Sequence, residues 1–246
     1  MTATMNKRNV SLCPLWLVFL HSLSLFWFRI FMVLTMCLAL SACWDAHPYS
    51  LPDDISTLTK DAEGGQAQAQ YHLGLRYAKG TDVQKDEVIA VTWYRKAAVQ
   101  GNAPAQRNLG LCYANGTGVT KDEAQAFTWY RKAAEQGEVE AQRNLGVCYA
   151  TGAGTAKDII LAATWYRKAA EQGDASAQWF LGFDYAKGIG VPKDDLLAYK
   201  WLNLSAAQGI ADAAKLRDEI SKTMTPAQIA EAQRLSREWK PAEGKK

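Results

Sequence analysis

The sequence predicts an all-α protein, an α/α solenoid of four tandem 36-residue helix-turn-helix repeats closed by helical caps. Three recurrences predict it. Gln-Gly returns at Gln100-Gly101, Gln136-Gly137, Gln172-Gly173 and Gln208-Gly209. Leu-Gly returns at Leu73-Gly74, Leu109-Gly110, Leu145-Gly146 and Leu181-Gly182. Asp86, Asp122, Asp158 and Asp194 are each followed seven residues later by Trp93, Trp129, Trp165 and Trp201. A fixed period of this length marks a stacked architecture in which one unit cannot bury its own apolar stripe but neighbours can.

In chain order, the first element is a targeting segment over residues 1–42. From Leu15 to Leu40 the chain is almost wholly apolar, and it ends in Leu40-Ser41-Ala42-Cys43. An apolar run followed by small residues is the pattern of a cleaved secretory signal. The tetrapeptide resembles the lipobox of bacterial lipoproteins. That resemblance implies acylation of Cys43, which becomes the first mature residue. Trp44 stands where an Asp often retains such proteins at the inner membrane, so the resemblance points to the outer membrane, facing the periplasm. The alternative is an uncleaved inner-membrane anchor, because the run exceeds the ~20 residues that span a bilayer. Residues 43–52, with Pro48 and Pro52, read as a tether.

Residues 53–64 read as a capping helix, with Leu58 and Ala62 in apolar register. The repeats follow as 65–100, 101–136, 137–172 and 173–208. In the second, Ala105, Leu109, Cys112 and Tyr113 fall at helical spacing, and Gly116 stops that helix in the left-handed conformation. Asp122 is an N-cap, with Gln125 placed for a capping box. Ala126, Trp129, Ala133 and Ala134 form the stripe of the second helix, which makes the recurrent tryptophans core residues. A glycine inside a helix costs roughly 1 kcal/mol relative to Ala, so its recurrence after Leu predicts close approach of the paired helix. In the first repeat Asp82 replaces the second loop glycine, as an Asp can in a turn. Residues 209–240 supply two capping helices. The first runs from Ile210 to Met224. The second opens at Thr225-Pro226 with Gln228 completing a capping box, and Ile229, Ala232, Leu235 and Trp239 form its apolar face. Residues 241–246 are a polar tail.

Charge and chemistry exclude several functions. Of 28 basic residues, Lys7, Arg8 and Arg29 lie in the targeting segment, which holds no acid; the other 25 balance 25 acidic residues. A nucleic-acid binder needs a basic surplus or stripe, and neither is present. Past residue 42 the histidines are His47 and His72. No Cys–His cluster has metal spacing, no nucleophile elbow or phosphate loop occurs, and the recurrent Asp residues are used as caps. No cofactor, metal or catalytic residue is therefore expected. Cys112 and Cys148 occupy equivalent places one repeat apart, where the other units have Arg76 and Asp184. That placement predicts partial exposure and free thiols, since stacked helices lie about 8–10 Å apart, beyond the ~7 Å reach of a disulfide.

The pattern Ala-x3-Leu-Gly-x2-Tyr-x2-Gly-x-Gly, then Asp, Ala, Trp and Ala-Ala-x-Gln-Gly, resembles the Sel1-like repeat, a relative of the tetratricopeptide repeat. The resemblance covers residues 65–208. It implies a right-handed superhelix and a non-catalytic adaptor that binds a protein or peptide partner, commonly in bacterial envelopes. A secreted subgroup linked to β-lactam binding or hydrolysis suggests the alternative, a hydrolase or ligand-binding protein acting on cell-wall or β-lactam-like substrates. That subgroup carries a cysteine pair within each repeat, and this chain has at most one. In the superfamily the first helix of each unit lines the concave groove. Here that groove would carry Tyr71, Arg107, Arg143 and Trp179, then His72, Asn108, Asn144 and Phe180, then Leu75, Leu111, Val147 and Phe183. Arg forks onto carboxylates and Asn can bond a peptide's backbone donor and acceptor together. The centre therefore predicts an acidic or C-terminal peptide segment as partner. The Arg and Asn can equally be a solvated face and an inter-repeat contact. Trp179, Phe180 and Phe183 read as an apolar anchor or as packing for the C-terminal helices.

Overall fold

The computed structural model describes residues 54–242, and every regular element among them is an α-helix. The predicted signal segment, Cys43 and its tether lie outside the described residues, as do residues 243–246. The order is α1 (Ile55–Glu63), α2 (Ala67–Lys79), α3 (Glu87–Val99), α4 (Ala103–Asn115), α5 (Glu123–Glu135), α6 (Val139–Thr151), α7 (Ile159–Glu171), α8 (Ala175–Lys187), α9 (Asp195–Ala207), α10 (Ala211–Ser221) and α11 (Pro226–Glu238). Each helix from α1 to α9 packs on the next in sequence, α10 also touches α8, and α11 folds back onto α9.

Local chemistry sets the helix bounds. Asp86, Asp122, Asp158 and Asp194 accept hydrogen bonds from backbone N–H groups in the first turns of α3, α5, α7 and α9, satisfying donors the helix leaves orphaned. At Asp122 the donor is the N–H of Gln125. Thr225 and Gln228 complete a two-way capping box. The α4 helix ends at Gly116, whose φ of 74° is left-handed. Ile229 and Ala232 of α11, and Trp239 just after it, pack on the core of the last repeat.

The glycine after each Leu is indeed a point of close approach, but the residue that needs it is not the tryptophan. A Cβ at Gly74, Gly110 or Gly146 would lie 2.6–2.8 Å from ring carbons of Tyr94, Tyr130 or Tyr166. In the fourth repeat Leu202 takes the tyrosine's place, with its Cγ 2.8 Å away. The core expectation for the tryptophans is corrected accordingly. Trp93, Trp129 and Trp165 are half-buried, while the tyrosine that follows each is buried. One residue is a 100° turn of the helix, and that turn aims the tyrosine at the glycine and leaves the tryptophan at the rim. Trp129 packs there against the preceding repeat's core, under the ammonium of Lys132, 4.3 Å from the ring centroid. Trp201 alone of the four is buried; Trp239, which follows α11, meets it with ring centroids 6.2 Å apart.

Two cross-repeat contacts give the period its rigidity. Gln100, Gln136, Gln172 and Gln208 each donate to Gln70, Gln106, Gln142 and Gln178 of their own unit, at 2.6–2.8 Å. Those inner glutamines donate in turn to Ala62, Ala98, Ala134 and Ala170 carbonyls of the preceding unit. The ladder satisfies buried amides that would otherwise cost about 1–3 kcal/mol each. The second loop glycines also abut the preceding unit: a Cβ on Gly154 would lie 2.0 Å from the carbonyl oxygen of Glu123. Asp82 (φ 59°) holds the equivalent place in the first repeat.

Candidate partner-binding face

The four helices α2, α4, α6 and α8 bury Leu73, Leu109, Leu145 and Leu181 completely. Their opposite sides carry the variable residues. Helical geometry explains the division: residues two before and two after the Leu lie about 160–200° from it. Tyr71, Arg107, Arg143 and Trp179 are all half-buried there, as are Leu75, Val147 and Phe183; Leu111 is 43% exposed.

The arginines are already engaged by acids. Arg143 Nη1 donates to Asp174 Oδ2 at 2.8 Å, while Asp174 Oδ1 caps α8 by accepting from Ala177 N–H. Arg107 Nε lies 3.5 Å from Glu138 and 3.4 Å from Glu140. Its N–H is nevertheless buried and aligned with neither, so this is a charge contact without a proper hydrogen bond. Glu138 caps α6 through Ala141 N–H. Burial raises its carboxyl above the ordinary range, against the pull of that N–H and of Arg107. Each arginine thus ties one repeat to the helix start of the next. The sequence placed Arg107 and Arg143 on this face but did not reveal their acids. Glu138 and Asp174 both directly follow a repeat-closing Gln-Gly, and that shared place is the signal that could have found them.

The asparagines divide. Asn108 is 7% exposed and is spent internally: it hydrogen-bonds Tyr94 and accepts from Arg107 Nη1 at 2.5 Å. Asn144 is half-buried and makes no side-chain hydrogen bond to a described residue. At the first repeat, Tyr71 meets the edge of His72 at 5.0 Å, and His72 contacts Gln68 at 2.9 Å. Burial lowers the His72 imidazole below its usual pKa.

The fourth repeat is aromatic. Trp179 stacks on Phe183 (centroids 5.8 Å) and meets the edge of Phe180 (4.8 Å), which stacks on Tyr166 of α7 at 4.7 Å. Trp179 Nε1 is buried without an acceptor. Beside this cluster Asp184 is 7% exposed and makes no side-chain hydrogen bond or ion pair to a described residue. Burial pushes its carboxyl up to about 7. The expected exposure at this position is corrected as well. Cys112 and Cys148 are 9% and 6% exposed, both free, and burial pushes both thiols up to about 11. The position lies under the tyrosine of the preceding helix, not at the rim. Among the described residues no cluster of three or more His, Cys, Asp or Glu could hold a metal ion, and no helix is long and apolar enough to cross a membrane.

The comparisons with known proteins agree with this architecture. The Sel1 repeat pattern matches residues 67–102, 103–138, 139–174 and 175–210. A protective antigen present in uropathogenic Escherichia coli strains, displaying an SLR fold, is 40% identical with a TM-score of 0.68 over 76% of this chain. The match spans only 41% of that antigen's length. A Sel1 repeat protein from Oxalobacter formigenes is 38% identical with a TM-score of 0.63, covering 77% of this chain and 76% of that one. No curated protein matches the chain. Sel1 repeats generally build protein-interaction scaffolds. Four consecutive repeats of that pattern, on the matching fold, make this chain a member of the Sel1 repeat family.

Proposed function

We propose that this chain is a non-catalytic scaffold of the bacterial cell envelope that holds a protein or peptide partner across the face of α2, α4, α6 and α8. One observation carries the reading. Residues turned to the core repeat almost unchanged from unit to unit, whereas those turned away change along the solenoid, from Tyr71 through Arg107 and Arg143 to Trp179. A face needed only for solubility has no reason to hold half-buried aromatics and arginines at its centre; a face that reads a partner does.

The contacts are made by Tyr71, Arg107, Leu111, Arg143, Asn144, Val147, Trp179 and Phe183, with Asn108 holding Arg107 from below. Arg143 commits one Nη to Asp174 and keeps further N–H donors of its five. An acidic or C-terminal segment of the partner fits those donors. Residues 1–42 act as a lipoprotein signal, with Cys43 the acylated residue that holds the repeats at the outer membrane, facing the periplasm.

The test uses the full chain in a bacterium fed labelled palmitate, with mild crosslinking of the envelope. Label on the mature protein should be lost in Cys43→Ala. Partners recovered with the wild type should fall several-fold in Arg107→Ala/Arg143→Ala. Label that persists without Cys43, or capture unchanged without the arginines, would defeat the corresponding half of the reading.

A further inference from the structure

The fourth repeat departs from the other three at four neighbouring positions. Trp179 replaces Tyr or Arg, Phe180 replaces His or Asn, Phe183 replaces Leu or Val, and Asp184 replaces Arg or Cys. Trp179 with Phe183 and Phe180 with Asp184 are i, i+4 pairs on adjoining sides of α8, joined where Trp179 meets the edge of Phe180.

Two polar groups in this patch lack partners. Asp184 is 7% exposed as a residue, its carboxylate oxygens keep a little contact with solvent, and it has neither a hydrogen bond nor a cation beside it among the described residues. The indole N–H of Trp179 is buried without an acceptor. The omission at Trp179 is costly, because a buried polar group left unpaired loses its hydration with nothing in return; Asp184 has lost most of its water yet stays reachable from solvent. The half-buried carboxylates of this face show what is missing: Glu138 has Arg107 and Asp174 has Arg143. Asp184 calls for a cation, and Trp179 for an acceptor.

The surroundings select the kind of cation. A hard divalent ion needs several oxygen ligands, and here there is one carboxylate between aromatic rings. An organic cation suits both features, since ring faces attract Arg and Lys and a carboxylate forms charge-assisted bonds with them. A residue in a peptide also brings its own backbone carbonyl, which is the acceptor that Trp179 lacks.

We infer that the fourth repeat binds a basic side chain, arginine or lysine, of an extended peptide, the cation lying against Trp179 and Phe183 and pairing with Asp184 while the neighbouring peptide carbonyl accepts from Trp179 Nε1. The inference rests on the reading of this face as a partner surface and adds its polarity. The partner's acidic segment lies over Arg107 and Arg143, and its basic residue lies one or two repeats further on.

The experiment is NMR on the ¹⁵N-labelled full chain in detergent, titrated with the blocked tripeptides Ac-Gly-Arg-Gly-NH2, Ac-Gly-Lys-Gly-NH2, Ac-Gly-Gln-Gly-NH2 and Ac-Gly-Glu-Gly-NH2. The Trp179 indole N–H is assigned by its loss in Trp179→Phe. The Arg and Lys peptides should shift that resonance saturably and the Gln and Glu peptides should not. Asp184→Asn should weaken the basic peptides by about fivefold or more with an undiminished thermal melt. Phe183→Leu, which restores the residue of Leu75 and Leu111, should weaken them without touching the charge. No saturable shift with Arg or Lys, equal binding by the Gln peptide, or Asp184→Asn binding as tightly as wild type would each overturn the inference. A crosslinked partner that depends on the arginines but not on Asp184 would leave the general reading standing and remove this one. Tripeptide shifts that depend on Asp184, with no partner lost from the arginine variant, would do the reverse.

Discussion

Two aspartates on one helix behave in opposite ways. Asp174, at the start of α8, accepts from Ala177 N–H with one oxygen and from Arg143 with the other. Asp184, near the end of α8, is buried with neither among the described residues. The first joins the third repeat to the fourth. The second makes no stabilising contact, and burial alone holds its carboxyl near neutrality, at about 7. Burial therefore does not by itself distinguish a structural acid from a functional one. What distinguishes them is whether the fold supplies the partner.

The contrast can be broken most forcefully at Asp174. Asp174→Ala removes a cap and leaves Arg143 without its acid, and it should cost roughly 2–3 kcal/mol in denaturant unfolding. A loss under about 0.5 kcal/mol would mean that the seam does not depend on it. Asp184→Asn should act in the opposite direction, stabilising the fold at pH 8 by about 1–3 kcal/mol. The sign follows from proton linkage. A carboxyl raised in the folded state binds its proton more tightly there than in the unfolded chain, so the burial penalty is full above about 7. It fades as pH falls towards the ordinary value of 3.8. Wild-type stability should therefore gain on that of Asp184→Asn between those pH values, as parallel melts would show.

A third variant asks whether that seam rests on the ion pair or on the amide ladder. Gln172 donates to Gln142 and to the carbonyl of Lys168. Gln172→Ala should lose about 1 kcal/mol and should add to Asp174→Ala if the two contacts act independently. The smallest effect concerns Cys112 and Cys148, at the position Asp184 occupies in the fourth repeat. With both thiols buried and pushed up to about 11, alkylation of the native protein at pH 7.5, read by peptide mass spectrometry, should be slow at both. In denaturant it should be complete. Rapid native labelling would show that this position opens to solvent, and would weaken the account of Asp184 as a desolvated acid.

Much of the fold was legible in the chain. The caps at Asp86, Asp122, Asp158 and Asp194 and the glycine stops are local chemistry, decided within three or four residues. The reason for the glycine after each Leu was legible too, as a close approach, but its partner was not. Trp93 and Tyr94 are adjacent, both are aromatic, and either fits an apolar stripe. Which of them enters the core depends on a 100° rotation that only the neighbouring helix selects. The face of variable residues was legible in the same way: Arg107, Arg143, Asn144 and Trp179 stand where the spacing put them. The state of Asn108, consumed by Tyr94 and Arg107, was not, because its partners include a residue of the preceding repeat.

The sequence by itself determined the period, the helix bounds and the class of architecture, because these follow from spacing and from bonds between near neighbours. Only the tertiary structure decided which charges are paired. Arg107 meets Glu138 and Glu140, Arg143 meets Asp174, and Asp184 meets no cation among the described residues. All of these residues are about equally polar in the sequence. Their energies part only when one repeat is stacked on the next, since a buried charge is governed by what lies within a few ångströms of it and hardly at all by its neighbours along the chain.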